Sequence, residues 1–596
     1  MVFVLSMSEG AATIPPMSSV RPPTQVPDPD PRERALARTI GQSDLLARVL
    51  LARGLDDPDR ARRHMRPDLS TLADPFAFRQ MERAVERIRR AIRDGERILV
   101  HGDYDVDGVT GTVLLLKFFS LMGVAARPFI PDRRQGYSFS AASVEAAREG
   151  GFSLCISVDN GTNACEPIRQ LQEAGCDVIV TDHHGTSDNV AEAFAILNPR
   201  LPEAGYPDRD LAGCGVAFRL ATAIAQSFSQ GKRIGDEFRA FLLDAMAYVA
   251  LGTVADVAPL RGENRTMVLH GLKALAISPN PGIRALLDCA GIGARAPDAE
   301  DIAFRIAPLI NAAGRMGHAM EAVDLLSAPG YQEAQQAAKI LERHNEQRRR
   351  VERELLERVK RAAAAFPEDR ILVLGDDDWH PGVLGIVAAR MAESTGRPSI
   401  LISFDGPIGR GSGRSPGGIH LREAMRACAD LLRSYGGHAA AAGLEIERAR
   451  LDEFRLAINA VADRVMGPTD PIQVDGCANF DELDPRDVRV LDQLGPFGAG
   501  NRRPTFLTRD ARLVGLPSVD PRSGDLRLRA VQTGQILPAR LRAGARHFET
   551  IRGWREPVDL VHSPRLSARS EEGPVELVVW QIQRPTAGGE GPEVLP

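Results

Sequence analysis

The chain has 596 residues, 43% of them hydrophobic and 26% charged, with a formal net charge of −5. That length exceeds what one hydrophobic core supports and argues for several domains. The acidic balance excludes a globally basic nucleic-acid binder, although a groove can be locally basic on an acidic protein.

No apolar run approaches the roughly 20 residues that span a bilayer, so no membrane association is expected. The opening MVFVLSMSEG has no basic n-region and too short an apolar run for a signal peptide, and Met7 is an alternative start. Seven cysteines are scattered without a CxxC pair. That suits free thiols in a reducing cytoplasm better than a disulfide framework or a structural zinc site.

In chain order, residues 1–30 are rich in Pro, Ser and Thr without apolar periodicity, which predicts a disordered extension. Residues 31–95 read as helical. SDLLARVLLARGL is the clearest early segment, and MERAVERIRRAIRDG is an amphipathic helix stopped by Gly95. Strand-then-helix units follow. RILVHGDYD leads into GVTGTVLLLKFFSLMG, FSLCISVDNG into CEPIRQLQEAG, and CDVIVTDHHG precedes a further strand, AFAILNP. This alternation predicts an α/β fold around a parallel sheet. Ligands in such sheets bind beyond the carboxyl ends of the strands.

Residues 331–366 contain no Gly or Pro and predict one continuous helix of about 54 Å connecting two lobes. A coiled coil is the alternative, weakened by poor heptad positions. A second α/β lobe opens at RILVLGDDDWHPGVLGIVAARM and runs over 367–467. From 468 onward the short runs PTFLTRDARLVGL, LRLRAVQ, ILPARLRAG, PVDLVHS and PVELVVWQIQ predict a small antiparallel barrel or sandwich.

The stretch HGDYDVDG carries His101, Asp103, Asp105 and Asp107 at every second position. On an extended segment such side chains share a face, and carboxylates so placed repel unless a cation lies between them. A solvated turn and a helix N-cap at Asp107 are the plain alternatives. A calcium loop lacks its Glu, because position 114 is Leu. Asp159 in SVDNG, Asp182, His183 and His184 in VTDHHG, and Asp256 in TVADVAPL add acidic and imidazole groups after successive apolar segments. That mixture favours Mn²⁺ or Mg²⁺, with Zn²⁺ or Fe²⁺ as further options, and the lack of Cys argues against structural zinc.

These motifs resemble the successive metal motifs of the DHH phosphoesterase superfamily. APLINAAGRM (307–316), WHPGVLGIVAARM (379–391), GSGRSPGGIHL (411–421) and YGGHAAAAG (435–443) resemble the RecJ-type single-stranded-DNA-specific exonucleases within it. LGPFGAGNRRPTF (494–506) resembles the start of their OB-fold domain. The resemblance covers roughly residues 40–595, and the N-terminal extension departs from it. It implies an α/β protein with a DHH lobe over 96–330 and a DHHA1 lobe over 367–467, joined by the long helix, plus a C-terminal OB-fold-like β-barrel over 468–596.

It further implies two divalent ions, Mn²⁺ or Mg²⁺. Asp105 would hold one and Asp107 the other, with Asp159 bridging and His183 and Asp256 completing the second site. His101 would be a ligand or close neighbour, Asp103 would orient a ligand or a water, and His184 would contact the scissile phosphate. Ser412 and Arg414 would form a phosphate-binding loop, with Arg315 and His438 facing the same groove; loop bracing is the alternative for Asn311 and Arg315.

The implied activity is 5′-to-3′ exonuclease action on single-stranded DNA, releasing mononucleotides in repair and recombination. The implied setting is a cytoplasmic monomer working with a single-strand-binding protein and a recombination helicase. With 5% aromatic residues, phosphate contacts are expected to outweigh stacking. Two other readings stand beside this one. A DHH phosphodiesterase for short oligoribonucleotides or cyclic dinucleotides needs only the two lobes. A non-catalytic nucleic-acid-binding replication partner does not need every ligand position filled, as here.

Overall fold

The computed structural model describes residues 30–133, 138–186, 189–229, 234–465, 472–521, 523–567, 573–584 and 593–595. The expected N-terminal extension and Met7 lie outside the described residues, apart from Asp30. Three short helices open the described chain: α1 (Glu33–Ile40), α2 (Asp44–Ala52) and α3 (Pro58–Met65). Ser43 caps α2 by accepting from the Leu46 amide, and Asp57 caps α3 ahead of Pro58. Helix α4 (Met81–Asp94) ends where Gly95 turns left-handed at φ 66°.

The α/β region then runs β1 (Ile98–Gly102), α5 (Val106–Leu121), β2 (Ala126–Phe129), α6 (Ala141–Glu149), β3 (Leu154–Val158), α7 (Cys165–Glu173), β4 (Asp177–Thr181) and β5 (Ala195–Leu197). Helices α8 (Gly213–Phe228) and α9 (Asp236–Ala255) follow. The five strands form a wholly parallel sheet in the order β2-β1-β3-β4-β5, with Val100 beside Ile156 and Ile156 beside Ile179. Strands β1 and β3 are buried along their whole length, which is why they read as continuous apolar runs. The order reverses between β1 and β3, so the ligand crevice lies at their carboxyl ends.

Contrary to the reading of the apolar runs, α9 is long and apolar enough to cross a bilayer by length and composition, with a window of mean hydropathy 1.4. Its Leu242, Met246, Val249 and Leu251 are buried in the same core as β1 and β3.

The chain divides into two compact units, one formed by the described residues of Val26–Glu346 and Val474–Pro596, the other by Gln347–Gln473. The helix Tyr331–Ala363 contributes to both. It is 33 residues long, about 50 Å, and stops three residues short of the expected end.

The smaller unit holds β6 (Leu372–Asp376), the helix Leu384–Thr395, β7 (Ser399–Asp405), β8 (Ile408–Arg414), β9 (Ser434–Gly437) and β10 (Ala441–Glu447). The sheet order is β6-β7-β8-β10-β9, with only β6 and β7 parallel. The segment expected as a Gly/Ser/Arg phosphate loop is therefore mostly strand. A Cβ at Gly409, Gly411 or Gly413 would meet Phe404, Ile402 or Ile400 at 2.5, 2.9 and 3.2 Å. The glycines make room for these large side chains, and the period of two puts Arg410, Ser412 and Arg414 on the other face.

The C-terminal strands are β11 (Phe506–Leu513), β12 (Ser518–Val519), β13 (Leu526–Gln532), β14 (Gln535–Leu541), β15 (Val558–Leu566), β16 (Val575–Arg584) and β17 (Glu593–Leu595). The path β11-β15-β16-β14-β13, closed by β13 on β11, makes a five-stranded barrel. It is not wholly antiparallel as expected, because β14 and β16 pair in parallel. Its core includes Leu46 and Leu50 of α2 and Ala61 of α3, packed with Phe480, Phe506 and Val579. Arg53 reaches the buried Asp475 at 3.0 Å, and Arg502 meets the same carboxylate at 2.6 Å. Helices α1–α3 thus share the barrel core while α4 joins the core of the parallel sheet.

Candidate metal centre

The chain leaves β1 extended and becomes helical at Val106, so the Asp alternation does not stay on one face. The N-cap of α5 is Asp105, two residues before the residue expected in that role: its Oδ1 accepts from the Asp107 and Gly108 amides at 2.9 and 3.1 Å. Asp107 lies inside the first turn and points elsewhere. Its two oxygens accept from the Gly213 and Cys214 amides at 2.7 and 2.9 Å, at the N-terminus of α8. A helix N-terminus stabilises a carboxylate placed this way.

Asp159 follows β3 with a left-handed backbone, φ 64°, and its amide donates to Thr181 at 2.8 Å. Non-glycine residues rarely adopt that conformation. Close approach of α8 fixes it, since a Cβ on Gly213 would fall 2.6 Å from the Asp159 Cβ. Gly252 of α9 plays the same part for Asp107, where a Cβ would sit 2.5 Å from Oδ1.

After β4, Asp182 organises the next two residues. Its Oδ1 accepts from the His183 and His184 amides and pairs with His184 Nδ1 at 2.8 Å, while Oδ2 accepts from the Thr162 amide. Asp256 caps the C-terminal end of α9. His183 Nε2 faces three carboxylates: Asp159 at 3.1 Å, Asp256 at 3.7 Å and Asp107 at 3.8 Å.

Three sets of donor atoms lie within 4.8 Å of one another: Asp103, Asp105 and Asp159; Asp107, His183 and Asp256; and Asp159, His183 and His184. Asp159 belongs to two of them. The residues suit hard divalent cations, being carboxylates and imidazoles without thiolate. Both Asp103 oxygens are buried without a hydrogen-bond partner among the described residues, which is costly unless a cation compensates them.

Charge crowding points the same way. Burial, then Asp105, pushes the Asp103 carboxyl well above the usual range. Burial, then Asp107, does the same for Asp159 and takes Asp256 to about 8. Burial lowers His183 to about 4. Burial also works against a charged His184, but the Asp182 bond and charge outweigh it and raise His184 to about 9.

His101 does not enter any of these sets. It is fully buried, its Nε2 is 2.9 Å from Ser143 Oγ, and its ring stacks on Phe139 at 4.0 Å. Arg315 lies on the helix Ala307–Met316 near Tyr104, where a Cβ on the adjacent Gly314 would fall 2.9 Å from the Tyr104 carbonyl. In the smaller unit, Arg414 Nη1 is 3.0 Å from Ser412 Oγ, and both sit against Gly385 in the first turn of the helix Leu384–Thr395. His438 is exposed just past β9, its amide bonded to the Ala441 carbonyl, and Ala441 pairs with Arg414.

Two cations escaped the sequence reading. Arg133, after β2, stacks on Tyr104 at 4.7 Å and acts on Asp103. Arg200, after β5, acts on His183 and Asp256. The strand-end rule that singled out the acids applies equally to the two edge strands and would have found both.

The DHH family N-terminal domain matches residues 97–250, the DHHA1 domain 368–464 and the RecJ OB domain 474–578. Single-stranded-DNA-specific exonuclease RecJ of Dickeya dadantii is 35% identical over 501 residues, covering 79% of this chain and 85% of that protein. The chain belongs to the RecJ family. RecJ of Bacillus subtilis is 33% identical over 503 residues, covering 83% of this chain, which spans only 62% of that relative's length. The crystal structure of RecJ from Thermus thermophilus in complex with Mn²⁺ matches with TM-score 0.78 at 30% identity, over 95% of this chain and 80% of that one. A Mg²⁺ complex of RecJ from the same organism gives 0.73.

Proposed function

We propose that this chain is a metal-dependent exonuclease that hydrolyses phosphodiester bonds of single-stranded DNA from the 5′ end and releases mononucleotides. The observation that carries this is the donor set of Asp103, Asp105 and Asp159 beside that of Asp107, His183 and Asp256, with Asp159 Oδ1 3.1 Å from His183 Nε2, at the crevice between β1 and β3. Asp103 and Asp105 would serve one ion, Asp107, His183 and Asp256 the other, and Asp159 both. Two such cations, Mn²⁺ or Mg²⁺, supply charge neutralisation for the phosphodiester and lower the pKa of a water toward neutrality.

The chain's own groups do the rest. Asp182 fixes the His184 ring and favours its protonated form, which offers a positive charge and a proton donor to phosphate oxygen. Arg133 and Arg315 extend that positive edge beside Tyr104. Ser412 and Arg414 offer a hydroxyl and a guanidinium at a helix N-terminus, a setting suited to a backbone phosphate. His101 acts here as a buried support for the β1 end, not as a ligand.

The closed barrel, which a two-lobed phosphodiesterase does not need, disfavours short oligoribonucleotides as the main substrate. The reading extends to a cytoplasmic monomer that meets DNA alongside a single-strand-binding protein and a recombination helicase in repair. Its test is incubation with Mn²⁺ and end-labelled single-stranded DNA, duplex DNA and RNA. Stepwise loss from the 5′ end of single-stranded DNA is expected. Preference for RNA of two to four nucleotides, or no cleavage, would overturn it.

A further inference from the structure

Six non-glycine residues among those described have positive φ, and two of them flank the metal centre: Asp159 and Val257, the latter at φ 60°. A left-handed valine is a genuine outlier, because its branched Cβ crowds the backbone. The hydrogen bonding shows why the conformation persists. The Val257 amide donates to Val254 and the Ala258 amide to Thr253, both at 3.2 Å, which closes α9 in a Schellman turn. In that turn the left-handed position is ordinarily glycine.

The far side is held as well. The Leu260 amide donates to the Ala499 carbonyl at 2.7 Å, and Ala258 and Leu260 are buried. The segment is clamped at both ends, and the strain stays on Val257.

Burial does not explain the valine, because Val257 is 69% exposed. Its neighbour Asp256 belongs to the donor set with Asp107 and His183. An apolar, branched side chain in a left-handed conformation is therefore exposed next in sequence to one of the acids, one Cα step of about 3.8 Å from it. Strained residues that packing does not require are found at functional sites.

We propose that Val257 is a specificity-determining residue that packs against the sugar of the nucleotide being cleaved and favours 2′-deoxyribose over ribose. This rests on the phosphodiesterase reading above. The chemistry narrows the choice of contact. An isopropyl group neither donates nor accepts hydrogen bonds, so it does not serve the phosphate. It is branched, not flat, so it is a poor stacking surface for a base. The remaining part of a nucleotide next to its phosphate is the sugar, whose C2′ edge is a CH₂ in DNA and carries a hydroxyl in RNA. The 2′-hydroxyl is the group by which a protein tells the two apart. Against Val257 it would lose water and gain no partner. An apolar wall rejects an added hydroxyl by only about 100-fold, which sets the scale.

The test compares full-length wild type, Val257→Gly and Val257→Thr with Mn²⁺, measuring kcat and KM on 5′-phosphorylated oligo-dT and oligo-rU and the melting temperature of each protein. Threonine keeps the shape and branching and adds a hydroxyl that can meet the ribose; glycine removes the wall and the strain. The expected result is a fall of about 10-fold or more in the DNA-to-RNA ratio of kcat/KM for both variants, carried by KM on DNA for Val257→Gly. Val257→Gly should melt no lower than wild type. A valine with only a structural role would leave the ratio unchanged in both variants, and that result overturns the proposal, as does a wild type that cleaves both polymers equally. A wild type that cleaves neither would instead overturn the nuclease reading itself.

Discussion

The donor set that contains Asp159 with Asp103 and Asp105 and the neighbouring set of Asp107, His183 and Asp256 are built differently. Asp107 is already compensated by the protein, through two amides at the start of α8, and shares its set with an imidazole. The set of Asp103, Asp105 and Asp159 is all carboxylate, and Asp103 has no hydrogen-bond partner among the described residues. This all-carboxylate set brings three carboxyls together, which keep protons in the metal-free protein and which a cation would hold once bound. The lesson is that the ion bound by the all-carboxylate set should contribute more to folding, while both contribute to chemistry.

The largest effect should come from the residue common to both. Asp159→Asn should abolish DNA hydrolysis while circular dichroism shows a folded protein; near-normal turnover would remove the shared-ligand assignment. Asp105→Asn and Asp256→Asn should each lower activity by more than the roughly 100-fold typical of an outer hydrogen-bonding partner. They should not be interchangeable: loss of Asp105 should cut the stabilisation by Mn²⁺ in thermal melts more than loss of Asp256. Equal losses would erase the comparison.

Asp182→Asn leaves both donor sets present but loosens His183 and His184, so a loss of about 10- to 100-fold is expected.

The smallest effect concerns the metal-free protein. Asp103, Asp159 and Asp256 have carboxyls raised above the unfolded value near 3.9, Asp256 to about 8. In that window the native state keeps protons that the unfolded chain has lost, so stability falls as pH rises from about 4 to about 8. Protein in EDTA should melt lower at pH 8 than at pH 6, and Asp103→Asn should narrow the gap. Mn²⁺ should rescue wild type more at pH 8 than at pH 6.

The sheet that carries this site was readable because β1, β3 and β4 are buried apolar runs ending in acids or histidines. What lay beyond reading was set by contacts distant in sequence. Nothing local says that Asp105, not Asp107, caps α5, and that choice sends the two acids to different donor sets. His101 fell in step with the acids, yet Ser143, forty-two residues on, takes its Nε2. The glycines of β8 looked like a loop because the side chains they accommodate belong to neighbouring strands. The barrel strands were legible, but their core is completed by α2 and α3, tied across 422 residues by Arg53 and Asp475.

Central to the proposed function is that two ions would sit side by side, linked through Asp159. A Mn²⁺ titration of the metal-free full-length chain, followed by electron paramagnetic resonance, tests it most directly. Two ions per chain with magnetically coupled signals are expected for wild type, and one uncoupled ion each for Asp105→Asn and Asp256→Asn. A single ion in wild type, or two that do not couple, would contradict it.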